Sequence, residues 1–168
     1  PQAASAHVPK GKNTVIGRGG QALTAGADGI LYIENDQFCI HEQKIIDGDL
    51  DQFQGALRIS GNLYIGGNVD GGVEVEASGE IVINGKMGQA RVISTGGTIR
   101  VQQGIYGTNG KTFLSAAGQV QAPVAEWAEI NAGTSVIAET ISNSVIRCGG
   151  MVYAMSGRGM IVDSQIRA

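Results

Sequence analysis

Short runs of alternating apolar and polar residues recur along most of the chain. Each begins at a small or hydroxyl residue, usually glycine. They are Gly61-Asn62-Leu63-Tyr64-Ile65, Gly79-Glu80-Ile81-Val82-Ile83, Gly97-Thr98-Ile99-Arg100-Val101, Gly118-Gln119-Val120-Gln121-Ala122, Thr134-Ser135-Val136-Ile137-Ala138 and Gly150-Met151-Val152-Tyr153-Ala154. The starts are 18, 18, 21, 16 and 16 residues apart, and the longest interval holds an extra Gly107-Thr108-Asn109-Gly110 turn. A period of two over about five residues predicts strand, not helix. A second run follows within each unit: Val73–Ala77, Ala90–Ser94, Thr112–Ala116, Ala128–Ala132, Ser144–Cys148 and Ser164–Ala168. Its last position is always small, occupied by Ala77, Ser94, Ala116, Ala132, Cys148 and Ala168, as a tight interior corner requires. The glycines at the turns are expected to supply positive φ angles.

Two short strands per unit, with the same residue class at the same phase, call for stacked coils. Residue n of one coil then sits on residue n of the next. The predicted fold is all-β: a right-handed parallel β-helix of six to seven coils over residues 44–168, the hand following from the default for parallel crossovers. At ~4.8 Å per coil the rod is ~30 Å long. Leu63, Ile81, Ile99, Val120, Val136 and Val152 should form one inward ladder, and Ile65, Ile83, Val101, Ala122, Ala138 and Ala154 the next. Gly48-Asp49-Leu50-Asp51 repeats as Gly67-Asn68-Val69-Asp70 at a spacing of 19, which places an earlier partial coil before Gly61.

Residues 1–43 break the pattern and are predicted as a loop and small β-rich cap over the first coil. Pro1–Ala6 reads as disordered and Gly17–Gly20 as a loop. Two apolar runs flank Asn35-Asp36, which suits a two-residue hairpin turn. At the other end a repeat strand is followed by no capping segment, so more chain or a second copy is expected to stack there.

Composition narrows the function. Glycine accounts for 27 of 168 residues and proline for only 3, which excludes collagen and proline-rich linkers. A 42% hydrophobic content suffices for a core. The net charge of −3, with 12 Lys+Arg spread along the chain, provides no basic face for nucleic acid. No apolar run approaches the ~20 residues of a membrane span, and no signal peptide is visible. Cys39 and Cys148, far apart and outside any CxxC spacing, read as free thiols of a reducing compartment, the cytoplasm.

Ile46-Asp47-Gly48-Asp49-Leu50-Asp51, Leu57-Arg58-Ile59-Ser60-Gly61-Asn62-Leu63 and Gly66-Gly67-Asn68-Val69-Asp70-Gly71-Gly72-Val73-Glu74-Val75-Glu76-Ala77 resemble the bacterial flagellar assembly protein A family. Gly104–Gly107, Ala128–Ala132 and Ser142–Ile146 fit the same pattern, so the likeness spans about residues 20–168. The resemblance implies a cytoplasmic right-handed β-helix without known catalysis, linked to flagellar assembly. Bactofilins, which polymerise, and the C-terminal domain of the division inhibitor MinC, which dimerises and binds partners, share the architecture.

The motifs that could carry chemistry each fail a requirement. Asp47, Asp49 and Asp51 alternate, but a calcium loop of EF-hand type would need glycine and a carboxylate where Gln52 and Arg58 stand. They read as a solvated turn, and no metal site is predicted. Gly110-Lys111-Thr112 has Ile105 where a phosphate-binding loop needs glycine, and a strand follows where that loop needs a helix. Gly17–Gly20 and Gly157–Gly159 lack the spacing and βαβ context of a dinucleotide fingerprint. His7 and His41 lie outside the coils, so the histidine base of coil-type acyltransferases is missing. The outward positions Asn62, Tyr64, Glu80, Val82, Thr98, Arg100, Gln119, Gln121, Ile137 and Tyr153 include no acid pair at one level. No catalytic residue and no cofactor is therefore predicted.

What remains is surface. Tyr64, Val82, Ile137 and Tyr153 are outward apolar residues on one predicted face, and Trp127 is the lone tryptophan. These five are the candidate protein-interaction residues, against the plainer alternatives of isolated surface apolars and a packed corner. The expected function is a non-enzymatic scaffold that binds a protein partner or self-associates through coil ends or a sheet face. The competing expectations are a bactofilin-like polymer and a polysaccharide-active or carbohydrate-binding rod.

Overall fold

The computed structural model describes residues 8–27, 29–108, 110–155 and 159–167. The expectations for Pro1–Ala6, His7, Asn109, Gly157-Arg158 and Ala168 fall outside these. The chain divides into two compact units, Pro1–Lys44 and Ile45–Ala168.

In the first unit, Thr14–Ile16 pairs antiparallel with Leu23–Ala25 around the predicted glycine loop, where Gly19 and Gly20 have φ of 89° and 73°. Gly29–Glu34 pairs antiparallel with the long strand Gln37–Ile46, with Glu34 opposite Gln37. Asn35 and Asp36 form the two-residue turn with φ of 49° and 59°, as a type I′ hairpin requires. Thr14, Cys39 and Ile40 are buried.

The second unit is a parallel β-solenoid. Every neighbouring strand pair in it is parallel and joins one winding to the next. Its first sheet carries Asn62–Ile65, Ile81–Ile83, Ile99–Val101, Val120–Gln121, Val136–Ala138 and Val152–Ala154. The expected inward ladder is continuous: Leu63, Ile81, Ile99, Val120, Val136 and Val152 are successive register partners. The second sheet has seven strands: Leu57–Ile59, Val73–Ala77, Ala90–Ser94, Phe113–Ala116, Glu129–Ala132, Val145–Cys148 and Gln165–Arg167. Here Ala77, Ser94, Ala116, Ala132 and Cys148 stack as the small-residue column.

A third face completes each winding, where the periodicity predicts only two strands. Ile105–Tyr106, Val124–Glu126, Thr140–Ser142 and Met160–Val162 form a sheet, and single bridges from Leu50 to Val69, Met87 and Ile105 extend it upward. Leu50, Val69, Met87, Ile105, Ala125 and Ile141 thereby make a third inward column, each nearly fully buried. These strands are only two or three residues long, too short to display a period of two.

The core is purely aliphatic apart from Met87, with Leu63, Ile81, Ile99, Leu114, Ile130 and Ile146 among its fully buried members. Burying each contributes about 1.5–3 kcal/mol. Few polar groups enter, and those that do are bonded. Thr112 Oγ1 donates to Gly88 O and accepts from Thr108 N, and Ser94 Oγ donates to Gly79 O at 2.7 Å.

Positive φ angles are found, as expected, at the turn glycines Gly71, Gly72, Gly104 and Gly110, with φ of 75°, 83°, 103° and 70°, but the glycines that open the repeats follow the expectation only in part. Gly61 does adopt φ of 95°, but Gly79 and Gly97 do not enter the left-handed region. What they supply is room. A Cβ on Gly97 would lie 2.6 Å from Glu80 N and Gly79 C of the winding before it. The glycine is thus set by coil-to-coil spacing at the corner and not by φ.

Candidate functional site

Alternation on the first sheet turns one row of side chains outward. In register this row runs Tyr64, Val82, Arg100, Gln121, Ile137, Tyr153. Tyr64 sits beside Val82 and Ile137 beside Tyr153, all half-buried, with the polar pair Arg100 and Gln121 between. Arg100 Nη1 lies 3.0 Å from Glu80 Oε1, so its charge is balanced on the same face. Tyr153 donates its hydroxyl to Met151 Sδ at 3.3 Å. A groove of about 500 Å³ opens beside the middle of this row, at Arg100, Gln121 and Ile137, and is bounded further by Gln102, Glu139 and Met155.

Trp127 is elsewhere. It occupies the corner between the third and second faces, away from the first sheet, and is 40% exposed. Its φ is 52°, and Asn143 and Asp163 hold the same corner in the next windings at 49° and 46°. Its N–H donates to Ser142 O at 3.2 Å, just as Asn143 N donates to Val162 O. A bulky residue in the left-handed region costs about 1–2 kcal/mol. The structure therefore gathers Tyr64, Val82, Ile137 and Tyr153 on one face and leaves Trp127 apart.

The second sheet shows a charged outer surface. Arg58 pairs with Glu76 at 3.5 Å, Arg147 bonds Glu129, and the Arg91 guanidinium lies 4.4 Å from the Phe113 ring centre. Such exposed pairs contribute ~0–1 kcal/mol each and read as a solvated face.

The third face holds a concavity of about 560 Å³, lined by Asp49, Asp51, Asn68, Asp70, Lys86 and Tyr106. Its carboxylates are bonded to backbone. Asp49 Oδ1 accepts from Asn68 N, Asp51 Oδ1 accepts from Phe53 N, and Asp70 Oδ1 accepts from Gly71 N and Gln89 N, all at 2.7–2.8 Å. Lys86 Nζ lies 5.6 Å from the Tyr106 ring centre. The signal for this row was the 19-residue match of Gly48–Asp51 with Gly67–Asp70. Among the described residues no group of three or more His, Cys, Asp or Glu side chains is arranged to hold a metal ion.

The other singled-out residues take structural places. Thr112 turns into the core and leads into Phe113–Ala116, so Gly110-Lys111-Thr112 is a protruding corner. His41 Nε2 lies 2.7 Å from Glu34 Oε1 across the hairpin of the first unit. Cys39 and Cys148 are both free thiols. No helix among the described residues is long and apolar enough to cross a membrane.

Residues 42–168 match the family described as the flagellar assembly protein A β-solenoid domain. The chain belongs to that family. The matched span takes in all three stacked faces and the outer row from Tyr64 to Tyr153. Neither a curated protein nor a solved structure matches the chain.

Proposed function

We propose that this flagellar assembly protein A-type solenoid is a non-catalytic, cytoplasmic scaffold that docks a protein partner during flagellar assembly. The docking surface is the outer row of the first sheet. The reading is carried by the register that stacks Tyr64 on Val82 and Ile137 on Tyr153, with Arg100 and Gln121 between them beside an open groove. Half-buried apolar side chains flanking balanced polar ones fit the anatomy of a protein interface better than that of a catalytic cleft. The rigid aliphatic core behind them holds the row at fixed spacing, so docking costs little ordering.

The test is site-specific photo-crosslinking in cells. A crosslinker at position 137 should capture a component of the flagellar assembly machinery. The same group at position 129, on the charged second sheet, should not. Ile137→Lys should abolish the capture and impair motility while leaving the fold intact. Equal capture from both positions, or normal motility in Ile137→Lys, would overturn the assignment.

A further inference from the structure

The outer row of the first sheet has the same order of side-chain classes in both directions. It runs aromatic, aliphatic, polar, polar, aliphatic, aromatic: Tyr64, Val82, Arg100, Gln121, Ile137, Tyr153. The adjoining outward row, two residues earlier in each winding, is Asn62, Glu80, Thr98, Gln119, Ser135 and Met151. The two charged residues of these rows, Glu80 and Arg100, lie 3.0 Å apart and balance each other. Windings stack at a constant ~4.8 Å, so the order along a row is also an even spacing.

We infer that the partner docked on this face is a second copy of the chain, laid face to face with its rod axis reversed. The inference rests on the docking-face reading and names its occupant. A two-fold axis along the strand direction, passing between the windings of Arg100 and Gln121, sets each row against itself in reverse. Across the interface Tyr64 then opposes Tyr153, Val82 opposes Ile137, and Arg100 opposes Gln121. In the adjoining row Glu80 opposes Ser135, Thr98 opposes Gln119, and Asn62 opposes Met151. Aromatic meets aromatic and aliphatic meets aliphatic. Each charged group meets a neutral side chain that can hydrogen-bond it, and no like charges stand opposite. Moving the axis onto the Arg100 winding would set Arg100 against Arg100 and Val82 against Gln121, so charge fixes the register as well as shape. An unrelated partner gives no reason for the row to mirror itself. Six windings at ~4.8 Å and five residues at ~3.3 Å make a face of ~29 by ~16 Å. The pair thus covers about 900 Å² in flat projection and more in accessible surface, which suits a weak, reversible dimer.

Disulfides read the register, in the purified full chain carrying Cys148→Ser, a change that copies Ser94 of the same column. Val82→Cys mixed with Ile137→Cys should give a disulfide-linked pair under mild oxidation, because these positions face each other. Neither variant alone should, since the two copies of one position lie three windings apart, ~14 Å, beyond disulfide reach. In sedimentation equilibrium the unsubstituted chain should dimerise reversibly. Ile137→Lys should weaken that association about tenfold or more by setting an unpaired ammonium against Val82, with an unchanged circular dichroism spectrum. A chain that stays monomeric throughout would overturn the inference, and so would linkage of either single variant as fast as the mixture. If the chain is monomeric while the crosslinker at position 137 captures a different protein in cells, this inference fails and the docking face stands. If there is neither self-association nor capture, both fail.

Discussion

Asp49 holds Asn68 of the next winding with a single oxygen: Oδ1 accepts both the Asn68 backbone N–H at 2.7 Å and its side-chain Nδ2 at 3.1 Å. Asn68 repeats the device, its Oδ1 accepting from Lys86 N at 2.9 Å. A column of side chains thus caps, winding by winding, the backbone amides at one corner. Asn68→Ala removes a link from both neighbours, at an exposed place where water replaces part of the loss. Stability should fall by about 1 kcal/mol, read as a lower midpoint in urea with unchanged slope. An unaltered midpoint would mean that the column carries no net stabilisation.

Ile99 and Glu80 test the in-and-out assignment. Ile99 is fully buried between Ile81 and Val120. Ile99→Asp places an unpaired carboxylate in the aliphatic column and should unfold the solenoid, whereas Ile99→Val should cost only about 0.5–1.5 kcal/mol. Glu80→Lys breaks the surface pair with Arg100 and should cost no more than about 1 kcal/mol. Circular dichroism melting of the three variants separates these outcomes, and similar melting of Ile99→Asp and Glu80→Lys would contradict the register.

Ser144 is buried, accepts from Ala128 N at 3.2 Å and donates to Ser142 O at 2.8 Å. Ser144→Ala keeps the volume nearly constant but strands a buried amide. The expected loss is about 1–3 kcal/mol by chemical denaturation. A neutral result would show that water reaches the Ala128 amide.

Trp127 sits with φ of 52° at a corner where the following winding uses Asn143. Asparagine adopts that conformation at little cost, whereas tryptophan adopts it only with strain. Trp127→Asn should therefore leave the melting temperature unchanged or raise it, by up to ~1 kcal/mol of stability. A marked drop would assign the indole ring a packing role at the corner.

The sequence alone carried the architecture, because a parallel solenoid repeats the same burial at the same phase and so writes itself into the spacing. The ladders from Leu63 to Val152 and from Ala77 to Cys148 were legible residue by residue for that reason. The hairpin at Asn35-Asp36 was legible too, since few residue pairs accept two positive φ angles in succession. Only the tertiary structure disclosed the third face, whose strands are too short for alternation to register. It also showed that Gly79 and Gly97 serve close approach between windings and not unusual dihedrals. Patterning also placed Tyr64, Val82, Ile137 and Tyr153 outward on one face, but left Trp127 between an interface anchor and a packed corner. Folding decided the place of Trp127, at a corner between the third and second faces with φ of 52°, because a lone residue in a turn repeats nothing from winding to winding for spacing to reveal.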